Sequence, residues 1–320
     1  MHRSDTQDRR WGVILAGGDG KRLLPLTRRI SGDDRPKQFC SVMGRETLLQ
    51  QTQRRISGLV PKQRTLLVMT RTHEAFYVDQ VAGHPSSGMV IQPYNQGTAP
   101  AILYSLLRIR EMDPEGIIAF FPSDHHFSDD EAFACHLKSA YAAAASLPER
   151  VILLGIPPDA PEVDYGWIEP GVSADRMMPS SVFPVSRFWE KPRRKLAAAL
   201  MTGGCLWNSF IMVGHVSAFL NPVRRTLPTL LDAFESVRAS LLTPSEGTEV
   251  SKIYSAIRTA SFSEDVLSVR PQDLAVLCAT GLGWSDLGDP DRVLSVLERK
   301  GVETEGRFGP AQRLCANGAG

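Results

Sequence analysis

Cysteine is scarce and unpatterned in this chain. Its five cysteines (Cys40, Cys135, Cys205, Cys278 and Cys315) are odd in number and form no C-x-x-C pair. That argues against a disulfide framework or a structural zinc site and makes a reducing cytoplasm the expected setting. Long hydrophobic runs are also missing. Stretches such as 116–122 and 151–156 fall far short of the ~20 apolar residues that cross a bilayer. The opening MHRSDTQDRRWG is charged and lacks the apolar segment of a secretory signal. Nor is there an excess of one charge. Thirty-six basic residues face thirty-five acidic ones, a formal net charge of +1, so bulk electrostatics offers no grip on nucleic acid. What remains is a chain of 320 residues, 42% hydrophobic and 22% charged, with the composition of an ordinary soluble globular protein. No repeat of solenoid or β-helix period is present.

Short apolar runs alternate with helical patterns through the first half. Residues 11–16 (WGVILA), 65–69 (TLLVM), 89–92 (MVIQ), 117–121 (IIAFF) and 151–156 (VILLGI) each read as a strand buried on both faces. Between them, Ala99, Ile102, Leu103, Leu106 and Leu107 fall on one helical stripe, and the alanine-rich 131–146 favours a second helix. This alternation predicts an α/β fold: a Rossmann-like, mostly parallel sheet with helices on both faces, whose ligands bind beyond the carboxyl ends of the strands. The second half is less regular. Residues 187–191 and 207–213 look like strands, with 193–201 helical between them. Residues 215–242 are largely helical, with interruptions expected at Pro222 and Pro228, and 290–300 forms a last helix.

The first strand leads into Ala16-Gly17-Gly18-Asp19-Gly20-Lys21-Arg22. Glycines here let backbone amides approach a polyphosphate, and Arg22 adds a fixed charge on a planar fork. The spacing is not a Walker A loop, since no GK[ST] follows, and not a dinucleotide fingerprint, since Leu23 holds the third glycine position. Taken alone, the loop also reads as a tight strand-exit turn.

The residues that follow narrow the reading. LAGGDGKRLLPLT and Arg35-Pro36-Lys37-Gln38-Phe39 together resemble the start of the sugar-1-phosphate nucleotidyltransferases, most closely the mannose-1-phosphate guanylyltransferases. Further motifs of that family occur in its order: GTAPAI (97–102), PSDH (122–125), YGWIE (165–169), EKP (190–192), WNS (207–209) and GWSDLG (283–288). The resemblance covers roughly residues 11–297. It implies attack of a sugar phosphate oxygen on the α-phosphorus of a nucleoside triphosphate with release of pyrophosphate, a reaction run by positioning and charge neutralisation.

The resemblance also assigns residues. Gly17, Gly18 and Gly20 would wrap the triphosphate, Arg22 and Lys37 would neutralise it, and Ala16, Gln92, Gly97 and Thr98 would complete the nucleotide site. Asp124, closing an apolar strand, and Asp286 would ligate Mg²⁺, a hard cation suited to carboxylates and retained waters. Lys191 would bind the sugar phosphate and Glu190 the sugar hydroxyls. Gly166 would let the ring approach the backbone, and Asn208 would bond hydroxyls. The catalytic set is then Arg22, Lys37, Asp124, Lys191 and Asp286. Asp124 also has a local reading as a helix cap or Asx turn, and the four nearby tryptophans read first as core packing.

Four positions depart from the family pattern. Asp19 stands where a serine or threonine is common, and a carboxylate beside a triphosphate must turn away or face a metal. Leu24 replaces a tryptophan. Phe210 replaces a glycine and would reshape the sugar pocket. Gln92 stands where guanylyltransferases often have glutamate; its amide offers one acceptor and two donors and also suits a pyrimidine. The implied reaction is GTP with mannose 1-phosphate giving GDP-mannose. Another hexose 1-phosphate with UTP, dTTP or ATP stays open, as does a silent regulatory paralogue, which the presence of Lys37, Asp124 and Asp286 argues against. The expected layout is a tail (1–10), one nucleotidyltransferase domain (11–300) whose mainly helical portion (215–300) contributes Asp286, and a flexible tail (301–320). No room follows for a fused cupin or β-helix domain. No nucleic-acid or membrane partner is expected, and a homo-oligomer is left open.

Overall fold

The apolar runs expected as strands do form strands, and four of them lie side by side. The computed structural model describes residues 9–172, 179 and 181–301. Its strands are β1 (Arg10–Leu15), β2 (Thr65–Thr70), β3 (Met89–Gln92), β4 (Ile117–Pro122), β5 (Val151–Ile156), β6 (Gly166–Pro170), β7 (Val182–Glu190), β8 (Leu206–His215) and β9 (Leu274–Cys278). They make one nine-stranded sheet in the order β3-β2-β1-β4-β8-β5-β9-β7-β6. The stretch β3-β2-β1-β4 is parallel throughout. Only β7 and β8 run against the other strands. The sheet is thus mostly parallel, and the carboxyl ends of β1 to β4 open on one edge.

The helices are α1 (Leu24–Ser31), α2 (Leu48–Ile56), α3 (Glu74–Tyr77), α4 (Thr98–Met112), α5 (Asp130–Ser146), α6 (Arg194–Thr202), α7 (Val216–Thr226), α8 (Pro228–Glu235), α9 (Glu246–Ala256) and α10 (Pro290–Arg299). One sheet face packs against α4, α7, α8 and α9, the other against α2, α5 and α6. Each Leu, Ile or Phe withdrawn from water there contributes roughly 1.5–3 kcal/mol. A smaller third core clamps α10 to the segment after the glycine loop, through Leu23, Leu26, Leu48, Leu287, Val293 and Leu297. It brings the C-terminal part of the chain to the carboxyl edge.

Three expectations need correction. Arg10, assigned to the tail, opens β1. Pro222 does not interrupt its helix: α7 runs through it, and the break falls at Leu227, whose non-helical backbone (φ −129°, ψ 52°) precedes Pro228. The portion 215–300 also contains β9, a central strand between β5 and β7. Its five residues, LAVLC, are too short a run for periodicity to separate strand from helix. The expected C-terminal tail lies outside the described residues beyond Gly301, as does the N-terminal one before Arg9.

Candidate active site

The glycine loop is shaped from beneath. The Gln38 amide nitrogen donates to the carbonyls of Ala16 (3.0 Å) and Gly18 (2.7 Å), and the Thr70 hydroxyl donates to that of Gly17 (3.0 Å). The loop's carbonyls are thereby occupied by the protein. A Cβ at Gly17 would lie 2.4 Å from Gln92 Nε2 and 2.9 Å from Thr70 Oγ1, so any side chain there would push the Gln92 amide out of place. Gly20 adopts φ +60°, in the left-handed region that glycine enters without strain. Asp19 turns toward His73 (3.6 Å) and Lys21 (3.8 Å), which answers the objection to a carboxylate in this loop.

Lys37 joins three segments. Its buried ammonium donates to the carbonyls of Asp286 (2.6 Å) and Leu287 (3.0 Å) and lies 3.3 Å from Asp124 Oδ2. Asp124 follows β4 and is partly exposed. Its reading as a helix cap is not realised: Asp129 caps α5, accepting from the backbone of Glu131 and Ala132. Beside it, His125 Nδ1 accepts from Trp284 Nε1 (3.2 Å), which leaves Nε2 to carry the proton, 3.8 Å from Asp124 Oδ1. Burial pushes this imidazole's pKa down.

Asp286 sits on the loop before α10. Its Oδ1 accepts from the Tyr165 hydroxyl (2.9 Å), the Gly288 amide (2.8 Å) and Arg292 Nη1 (3.0 Å). Burial alone would raise this carboxyl's pKa, but His125, Arg292 and Lys37 around it hold it below the usual carboxylate range. Arg292 also pairs with Glu162 (2.6 Å) and Asp289 (3.1 Å) and lies over the Tyr165 ring. Asp286 and Asp289 are its neighbours in the sequence, but no local signal shows that Arg292 also reaches Glu162, 130 residues away.

A cavity of about 330 Å³ opens at the carboxyl edge. Its lining includes Gly17, Gly18, Gln92, Gly97, Thr98 and Asp124, so most of the expected nucleotide site does converge. Gln38 and Phe210 line it too, the latter at φ +59°. Gly97 is needed for the approach of a distant segment: a Cβ there would stand 2.3 Å from the Ala260 carbonyl. Thr98 Oγ1 accepts from the Phe262 amide (2.8 Å) and fastens the same two segments.

The remaining candidates sit outside this lining. Arg22 is exposed and paired with Asp164 (3.0 Å). Gly166 pairs with Glu190 in the β6–β7 ladder, and a Cβ on it would meet the Phe188 ring at 2.8 Å. Glu190 has its carboxyl pKa raised by burial, and its neighbour Lys191 is exposed, 3.8 Å away and at φ +45°. Asn208 Oδ1 accepts from the Phe210 amide (3.1 Å). Trp167, Trp207 and Trp284 pack on one another and on Tyr165, as core residues do.

His126 couples this site to acid stability. It is buried, and its backbone exchanges hydrogen bonds with Ser285 (2.8 and 3.0 Å). Burial pushes its pKa down to about 3. An unfolded histidine takes up its proton near pH ~6.5, so between these values the unfolded chain binds more protons. Stability present above that upper value is therefore lost as pH falls toward the lower one. We expect melting temperatures to decline from pH ~6.5 to ~4, with this residue accounting for roughly 3 kcal/mol. His126→Gln should flatten the decline; an unchanged slope would place the acid sensitivity elsewhere.

A mostly parallel sheet with a glycine loop at its carboxyl edge defines an α/β protein, and its family follows from comparison with known proteins. The pattern that defines the nucleotidyl transferase family spans residues 11–300, and the chain belongs to that family. It is similar to the alginate biosynthesis protein AlgA of Pseudomonas syringae pv. tomato, with 30% identity over 86% of this chain and 56% of that protein. It is 29% identical to a mannose-1-phosphate guanylyltransferase of Escherichia coli K12, over 88% of this chain and 58% of the other. A crystal structure of mannose-1-phosphate geranyltransferase from Thermus thermophilus superposes with a TM-score of 0.77 at 28% identity, covering 90% of this chain and 79% of that one. The chain spans little more than half the length of these two curated relatives.

Proposed function

We propose that this chain transfers a nucleotidyl group from a nucleoside triphosphate to a hexose 1-phosphate and releases pyrophosphate, with GTP and mannose 1-phosphate as the favoured pair. The observation that carries the reading is the single cavity in which the glycine loop and Gln92 meet Asp124. Gly17 and Gly18 would present their amides to the triphosphate while Gln38 holds their peptide planes. Lys191, exposed at the end of β7, would draw in the sugar phosphate, with Glu190 beside it. A sugar phosphate dianion is already nucleophilic, so no general base is required. The work left is in-line alignment and charge neutralisation.

The donor set fits Mg²⁺. Among the described residues no group of three or more His, Cys, Asp or Glu side chains could hold a metal ion. Lys37 links the Asp124 carboxylate to the backbone carbonyl of Asp286, so the two aspartates stand on neighbouring segments. One or two carboxylates, with phosphate oxygens and waters completing the shell, is how this cation is usually bound. Bound there, Mg²⁺ would supply charge stabilisation at the α-phosphate. Lys37 would hold the two aspartate-bearing segments in place.

The test is pyrophosphate release with Mg²⁺, across GTP, UTP, dTTP and ATP paired with mannose 1-phosphate and glucose 1-phosphate. The expected result is strong preference for GTP with mannose 1-phosphate. Preference for a pyrimidine nucleotide, which Gln92 can also read, would keep the mechanism and move the substrate. Silence in every pair from folded protein would overturn the activity and bring forward a regulatory paralogue. The cytoplasm is the proposed setting, and no helix among the described residues is long and apolar enough to cross a membrane.

A further inference from the structure

Gln92 ends β3 and Asp124 follows β4, on strands three spacings apart in the sheet, roughly 14 Å at the usual strand separation. The cavity therefore has a charged end at Asp124 and an uncharged end at Gln92. Toward Gln92 the lining includes Val68, Asn95, Gly97, Thr98 and Ala101. Apolar walls beside a buried carboxamide suit a nucleobase, which has apolar faces and a polar edge.

The orientation of that polar side chain is set by a residue from α9. Tyr254 is fully buried, and its hydroxyl donates to Gln92 Oε1 at 3.0 Å. A buried hydroxyl hydrogen needs an acceptor. If the amide were turned round, its nitrogen would face the phenol and the hydroxyl hydrogen would lose this acceptor. The carboxamide oxygen is thus committed to Tyr254. The nitrogen lies against Gly17, in space that only a residue without a Cβ leaves free. Among the described residues it has no acceptor, so its N–H bonds are available to the cavity.

We propose that Tyr254 acts as a positioning residue that makes the base subsite a hydrogen-bond donor, so that the cleft selects nucleotides whose base offers a carbonyl oxygen there. Guanine O6 and the O4 of uracil or thymine are acceptors, whereas adenine N6 and cytosine N4 are donors. Two donors facing each other leave both unpaired in a desolvated site. The inference rests on the reading of this cleft as a nucleotide site, and it narrows that reading to keto bases. ATP is thereby disfavoured wherever its exocyclic amino group would face this donor. Loop residues around Gln92 depend on the same helix: Gln96 Nε2 donates to the Tyr254 carbonyl (3.4 Å), and the Tyr94 ring meets the Tyr254 ring edge-on.

The experiment is calorimetric binding of GDP, UDP, ADP and CDP to the full chain and to Tyr254→Phe, Gln92→Leu and the double variant. The phenylalanine keeps the ring against Tyr94 and Phe234 and removes only the hydroxyl. The wild-type chain should bind the keto diphosphates at least roughly tenfold more tightly than the amino ones, and Tyr254→Phe should erase most of that ratio. Gln92→Leu should erase it as well, and adding Tyr254→Phe should then change nothing further. A ratio unchanged in Tyr254→Phe, with all four affinities lowered together, would make Tyr254 merely structural and overturn the inference. Equal binding of keto and amino diphosphates by the wild-type chain would overturn it while leaving the nucleotide site standing. Absence of binding by all four would remove the nucleotide reading and this inference with it.

Discussion

Asp124→Asn should lower turnover roughly 1,000-fold, because the neutral amide forfeits several kcal/mol of charge stabilisation at the reacting phosphate. The fold should survive. Lys37 keeps its two carbonyl acceptors, Asp286 and Leu287, so its ammonium is not left without partners. The cap of α5 belongs to Asp129 and is untouched. Steady-state pyrophosphate release and a melting curve on the same preparation separate the two effects. Near-normal turnover in Asp124→Asn would exclude this carboxylate from the reaction. A collapse of the melting transition would make it structural instead.

The largest loss of stability is expected at Arg292. Its guanidinium is little exposed and serves Asp286, Glu162 and Asp289 together, with Asp164 at 3.8 Å. Removing one partner from such a cluster leaves carboxylates desolvated and unpaired, which costs about 3–5 kcal/mol. For a chain of this size that corresponds to a fall in melting temperature of roughly 10 °C. Arg292→Ala should therefore be markedly less stable, and turnover should fall with it because Asp286 loses one of the three donors to its Oδ1. Arg292→Lys should recover only part of the loss, since a single ammonium cannot span the set that a planar fork reaches. Full recovery with lysine would show that charge alone matters. An Arg292→Ala protein as stable as the parent would show that water and Lys37 already suffice to hold the carboxylates.

These two residues differ in how they could be found. Asp124 stands two residues past Pro122, at the end of an apolar run read as a buried strand, where a carboxylate reaches the ligand-binding edge of a parallel sheet. Arg292 lies in a helical stretch with ordinary charge and spacing, and its acidic partners Glu162 and Asp286 belong to loops outside its helix. Gln38 was visible as part of RPKQF, but its grip on the carbonyls of Ala16 and Gly18 was not. Tyr254 carried no signal at all. A buried tyrosine on an amphipathic helix looks like core, and only the packing of α9 behind β3 turns its hydroxyl toward Gln92. β9 escaped because a five-residue apolar run has no period of its own.

By itself the amino-acid sequence determined the alternation of strands and helices, the edge where a ligand would sit, and the glycines that keep that edge open. These depend on local patterns: side-chain period, apolar run length, and turns that tolerate no Cβ. The tertiary structure alone decided which way each functional group faces. It tied Lys37 to Asp124 and to the backbone at Asp286, turned Asp19 aside, and committed the Gln92 oxygen to Tyr254. Such choices come from hydrogen bonds between segments far apart in the chain, and they exist only once the sheet and its third core have brought those segments together.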